Sequence, residues 1–165
     1  MSRRNVYSRS QLSGLMILRI LIGWYFMYEG LAKIFNPNWS SYPYLLDSKG
    51  FFAPIFISMT DYPFLMDVIN YVNMYGLTII GLCMILGCFV SIANVGAIGL
   101  LSLYYLSHPP LIGVHYLIPP EGSYLWVDKN LVMLGAVMVQ HFFPSSHYIG
   151  IDRYIFRKDR KTQEQ

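Results

Sequence analysis

Charge is what this sequence has least of. Only 13% of its 165 residues are Asp, Glu, Lys or Arg, against 55% hydrophobic residues and a mean hydropathy of +0.40. A soluble domain carries about 25% charged residues, so a water-soluble globule is excluded, and the length leaves room for one small membrane domain. Cysteine is nearly absent as well: Cys83 and Cys88 are the only two. Four residues separate them rather than the two of a redox CxxC, and they read as buried free thiols. There is no nucleotide-binding glycine loop and no nucleophile elbow. The four histidines do not pair within spans at one depth. His108 and His115 are outer and His141 and His147 inner, so no haem is expected, and His108 with His115 is only a weak metal candidate. Internal repeats and paired broken helices are missing too, which argues against a transporter.

What is present is apolar helix. Leu12 to Phe35 is apolar for about 24 residues, a rise of roughly 36 Å that suffices to cross a bilayer core of about 30 Å. It is too long for a signal peptide, and no small-residue cleavage site follows it. This stretch carries Arg19, Glu29 and Lys33. At about 100° per residue all three fit one sector roughly 80° wide, with Glu29 and Lys33 in the favourable i,i+4 order. Ionisable groups at membrane depth face a bundle interior or a cavity, so the other helices must cover this face. Gly23 and Gly30 lie near it and admit close helix approach.

Three further spans follow. The reading is a 1–11 cytoplasmic arm, a single four-span domain over 12–145 with spans near 12–35, 64–90, 92–108 and 127–143, and a basic tail over 146–165. Asn36-Pro37-Asn38 stops the first span. An outer loop then runs to residue 63 with Trp39, Tyr42, Tyr44, Phe51, Phe52, Phe56 and Tyr62. Within it Gly50 to Met59 reads as a short interfacial helix or, equally, an ordered cap over the bundle. Asp67, Asn70 and Asn73 share a face of span two. Arg3, Arg4 and Arg9 at one end, and Arg153, Arg157, Lys158, Arg160 and Lys161 at the other, place both termini in the cytoplasm. Topology accounts for these basic ends, so no nucleic acid partner is expected. The fold expected is an all-α antiparallel four-helix membrane bundle.

In such a bundle Glu29, Lys33, Asp128, Lys129, Asn130, Asn70, Asn73 and His108 converge on one outward cluster. Glu29 and Asp128 offer a proton, and Lys33 and Lys129 local positive charge. Asn70, Asn73 and Asn130 offer hydrogen bonds, and Tyr25, Phe26 or Tyr75 a ring to stack on. Arg19 lies about 22 Å below the outer end, near the depth of Gln140 and His141, its candidate partners. It reads either as a structural residue or as part of a cofactor site.

The stretches LRILIGWYFMYEGLAKI (18–34) and VDKNLVMLGAVMV (127–139), with the glycine-rich middle spans between them, resemble the DoxX/DoxD-like membrane proteins. In that family the first helix carries an Arg, a Gly-aromatic stretch, a Gly and a Lys, and the last opens with an Asp-Lys/Arg-Asn-Leu run. The resemblance picks out Arg19, Gly23, Gly30, Lys33, Asp128, Lys129 and Asn130. It implies a four-span bundle in a bacterial or archaeal inner membrane. One branch belongs to a thiosulfate:quinone oxidoreductase, and others are membrane partners of redox and oxidative-stress enzymes. Glu29 stands where many members have His or another residue, and the outer loop is long, so the thiosulfate substrate is not carried over.

The function expected is therefore an inner-membrane, quinone-linked redox component serving a partner oxidoreductase, with quinone as the cofactor and no haem or metal. The alternatives are a non-catalytic anchor or assembly subunit that docks a periplasmic partner and, more weakly, a small-solute carrier. Besides the lipid bilayer, a membrane or periplasmic redox protein is the expected partner, and homo-oligomerisation stays open.

Overall fold

The computed structural model describes residues 7–111, 113–117 and 125–154. Arg3, Arg4, Pro119, Pro120, Glu121, Arg157, Lys158, Arg160 and Lys161 lie outside the described residues. Every regular element longer than three residues within them is helical: α1 (Arg9–Ile34), α2 (Tyr42–Leu46), α3 (Ala53–Met59), α4 (Pro63–Tyr71), α5 (Leu77–Leu86), α6 (Val90–Ser107) and α7 (Lys129–Phe142). Three helical stretches are long and apolar enough to cross a membrane: Arg9–Ile34, Pro63–Leu86 and Val90–Ser107.

Helix α1 starts earlier than the apolar run because Ser8 and Gln11 form a capping box. The Gln11 amide donates to Ser8 Oγ at 3.2 Å and the Ser8 amide to Gln11 Oε1 at 2.8 Å, which satisfies two end donors that would otherwise be orphaned. The second crossing is not one uniform helix. A π turn, Val72–Gly76, joins α4 to α5. Around it two side chains take backbone carbonyls one turn back: Asn73 Nδ2 bonds Ile69 O at 2.9 Å and Thr78 Oγ1 bonds Met74 O at 2.8 Å. Such back-bonding competes with the regular ladder and perturbs it locally. The face expected for Asp67, Asn70 and Asn73 therefore does not hold together. Asp67 is exposed, while Asn70 and Asn73 turn to different partners.

Helices α1 and α5 cross most closely. A Cβ on Gly23 would meet Gly81 O at 2.9 Å, and one on Gly81 would strike the Met27 backbone. Small residues at such a crossing let the backbones touch, which is the usual basis of helix association in lipid. The core beside it is Ile22, Phe26, Leu77, Met84, Ala93, Ala97, Leu101 and Val137. Helix α7 packs on α6 and, less extensively, on α1. It has 14 residues, about 21 Å.

Two ends can now be distinguished. At the cap end, α2 and α3 lie over the bundle, with Leu45 and Phe56 packed on Met66 of α4. Ser48 and Ser107 share a hydroxyl hydrogen bond of 2.6 Å, and the Lys49 amide donates to Ser107 O. Gly50 to Met59 is thus helical from Ala53, with Ala53 and Phe56 turned inward and Ile55 outward. At the opposite, terminal end, the segment after α7 returns to the α5–α6 turn. Asp152 accepts from the amides of Phe89 at 2.7 Å and Val90 at 3.2 Å, and so caps a helix that has no N-cap side chain of its own.

Candidate functional site

The cap end holds a small cleft between α1, α5, α6 and α7. Tyr25, Phe26, Glu29, Lys33, Leu77, Leu101, Tyr104 and Asn130 line it, and it has about 30 Å³ of space for water centres. Each lining group arrives for a local reason. Glu29 and Lys33 are one turn apart on α1 and pair at 3.7 Å. Lys33 is the more buried partner, and its ammonium lies 5.4 Å from the Trp39 ring centroid and 6.0 Å from that of Tyr104. Lys129 sits 4.9 Å over Tyr25. Cation–π contacts of this kind stabilise a cation that has lost part of its water.

Behind the lining stands a rigid polar layer. Asp128, almost wholly buried, is the N-cap of α7: its Oδ1 accepts from the Leu131 amide at 2.8 Å and its Oδ2 from Asn130 Nδ2 at 3.1 Å. Asn130 is thereby aimed at the cleft. Asn73 accepts the Tyr104 hydroxyl and fixes that ring as a wall. Asn70 faces away and accepts from the Ser41 amide and hydroxyl at 2.9 and 2.7 Å, tying the loop to α4.

His108 sits above this layer. Its ring stacks on Tyr44 at 3.8 Å, lies 4.8 Å from Tyr116, and has Nδ1 3.1 Å from Ser107 Oγ. Burial pushes its pKa down to about 4, against an opposing pull from Asp47, so it is neutral at pH 7. Burial and then Asp128 hold the Tyr44 phenol above its ordinary range. His115 is exposed. No group of three or more His, Cys, Asp and Glu side chains that could hold a metal occurs among the described residues.

Three expectations need correcting. Tyr75 is not a ring of this site: it is half exposed and stacks on Tyr71 at 5.9 Å. Arg19 belongs to the terminal end, where Nη1 donates to Ser145 Oγ at 3.3 Å. Gln140 is not bonded to it and donates instead to Leu15 O at 2.7 Å, while His141 Nδ1 is buried without a partner. The sequence also left Tyr104 unnoticed. The available signal was its place on α6 one turn before His108, at the cap end of that helix.

No curated protein and no solved structure matches the chain. The match to a family model covers residues 14–108, more than half the chain, and includes Arg19, Glu29, Lys33 and Asn73 but not Asp128 to Asn130. The chain belongs to the DoxX family.

Proposed function

We propose that this DoxX-family membrane protein is the membrane component of a redox assembly, and that its cap-end cleft receives the head group of a quinone. In this reading α7 completes a fourth crossing, both termini are cytoplasmic, and the cap faces the far side of a bacterial inner membrane. The observation that carries it is one cleft lined by an ammonium, a carboxylate, an amide and three aromatic rings. Quinone carbonyls need donors, the ring needs apolar and aromatic walls, and reduction needs a proton and nearby positive charge. Lys33 and Asn130 supply the donors, Glu29 the carboxylate, and Tyr25, Phe26 and Tyr104 the walls. The donor set fits; the space of about 30 Å³ holds a water or two and not a ring. Entry of a ring therefore requires the lining of the cleft to rearrange.

The test is quinone retained by protein purified in mild detergent. Wild type is expected to keep it and Asn130→Leu to lose most of it, because a deleted donor leaves a carbonyl unsatisfied at about 1–3 kcal/mol. A wild type that retains none, and that added quinone does not stabilise, ends this reading. The second reading, an anchor for a partner protein, is favoured by the exposed aromatics around the cap, Phe51 and Tyr62. Reporter fusions check the shared topology: Lys49 is expected outside and Asn94 inside, and an inside signal at Lys49 overturns the orientation.

A further inference from the structure

The chain's two cysteines flank the turn that ends α5 and are joined there by a backbone hydrogen bond. Gly87 adopts a left-handed conformation, φ 68°, and its amide bonds Cys83 O. The next amide, that of Cys88, reaches the same carbonyl at 3.0 Å. The Cys83 carbonyl thus takes both amides, the second in the 6→1 pattern found in Schellman endings, with Cys83 and Cys88 at the two ends of that bond. Side chains at those two positions commonly touch, because the 6→1 hydrogen bond folds the chain back over the last turn. Both thiols are free and partly exposed. They sit against the terminal-end network: a Cβ on Gly87 would lie 2.8 Å from Gly150 Cα and 3.1 Å from Arg19 Nη2, and Gly87 O accepts from the Asp152 amide at 2.8 Å.

We propose that Cys83 and Cys88 form a vicinal dithiol that closes reversibly into a disulfide by exchange with a low-molecular-weight disulfide such as oxidised glutathione. In the first step one protein thiolate attacks a sulfur of the small disulfide, and one molecule of the small thiol leaves. In the second step the other protein thiolate attacks the resulting mixed disulfide. It forms the intrachain S–S bond and releases the second small thiol. The dithiol loses two protons and two electrons, and one small disulfide becomes two small thiols. The backbone bond between Cys88 and Cys83 already closes the same loop, so the α5–α6 turn need not unfold to bring the sulfurs together. The pair would report thiol–disulfide balance at the bundle end where α6 is capped and Arg19 is buried. This proposal is independent of the quinone reading.

The experiment uses the full chain in detergent, oxidised with glutathione disulfide, quenched with N-ethylmaleimide and weighed intact. Wild type is expected to lose two hydrogens and both maleimide labels, to carry no glutathione, and to recover both labels after dithiothreitol. Cys83→Ser and Cys88→Ser should each stop at a stable glutathione adduct, because the resolving thiol is gone. Wild type that ends with glutathione adducts, with two maleimide labels, or with an interchain dimer overturns the proposal. So does closure that proceeds equally fast in detergent-denatured chain, since the folded turn then contributes nothing.

Discussion

Lys33 and Arg19 stand on one helix fourteen residues apart, and the two ends of the bundle treat them in opposite ways. Lys33 keeps a carboxylate at 3.7 Å, two rings within 6.0 Å and a side chain 17% exposed at a cleft. Arg19 is 2% exposed, makes no ion pair within 4 Å among the described residues, and has Nε without a partner. Among the described residues its hydrogen bond goes to a serine, Ser145, and Asp152 at the same end is committed to capping α6. The terminal end also holds Asn94 with both amide atoms unpartnered, Gln140 Oε1 and Ser146 Oγ. Unpaired buried charge and unmet hydrogen-bonding capacity are both costly. The lesson is that the two polar regions differ in kind. The cap end pairs its ionisable lining and leaves His108 Nε2 as its buried unpartnered atom, whereas the terminal end is a closed network that joins the last segment to the bundle.

The largest expected effect breaks that network at its cap. Asp152→Ala removes two charge-assisted hydrogen bonds from the start of α6 and releases the segment after α7. It should lower stability by about 3 kcal/mol, read as a fall in melting temperature in detergent, with Asp152→Asn losing less. Asn94→Leu is the counter-test. Its amide has no partner, so an apolar side chain of similar size should be neutral or stabilising. Loss of more than about 1 kcal/mol on Asn94→Leu would reveal a partner and remove the contrast between the ends.

How much of this was legible in the sequence depends on how local each cause is. A helix α1 long and apolar enough to cross, its stop before Asn36-Pro37 and the Glu29–Lys33 pair follow from periodicity and i,i+4 spacing, and all are seen. Asp128 was readable as an acid opening a helix, and it is the cap of α7. The π turn was harder to see, because it arises where Asn73 and Thr78 compete for carbonyls that a regular helix would use. Contacts such as Gln140 with Leu15 or Asp152 with Phe89 join positions far apart in the chain, and no window on the sequence contains both partners. Cys83 and Cys88 are free thiols, as their spacing predicts, whereas the turn at Gly87, where one carbonyl takes the amides of both Gly87 and Cys88, is visible only in the structure.

His108 supplies the next effect. Its pKa lies near 4 in the folded chain against 6.5 ordinarily, so the unfolded chain binds the extra proton throughout that interval. Its contribution to stability is full above pH 6.5 and is lost as pH falls toward 4. Asp47, Lys49, Tyr44 and Tyr116 surround it. Melting temperature should therefore drop as pH falls from 6.5 to 4, and His108→Phe should flatten the profile in that window. An unchanged slope in the variant would assign the acid sensitivity to other groups.

The smallest effect is the most informative about the cleft. Glu29 is 39% exposed and Lys33 17%, so the pair is partly screened and its coupling should be no more than about 1 kcal/mol. Lys33→Met leaves a half-buried carboxylate beside aromatic walls. Glu29→Gln removes that charge, so the double variant should regain part of what Lys33→Met loses. Lys33→Arg keeps the charge and the ring contacts and should cost less than Lys33→Met. A double-mutant cycle in melting temperature separates the cases. Coupling of the expected size means the two side chains act as one unit in the folded protein. If the singles simply add, the ion pair contributes nothing measurable, and the cleft loses the compensation that distinguishes it from the site of Arg19.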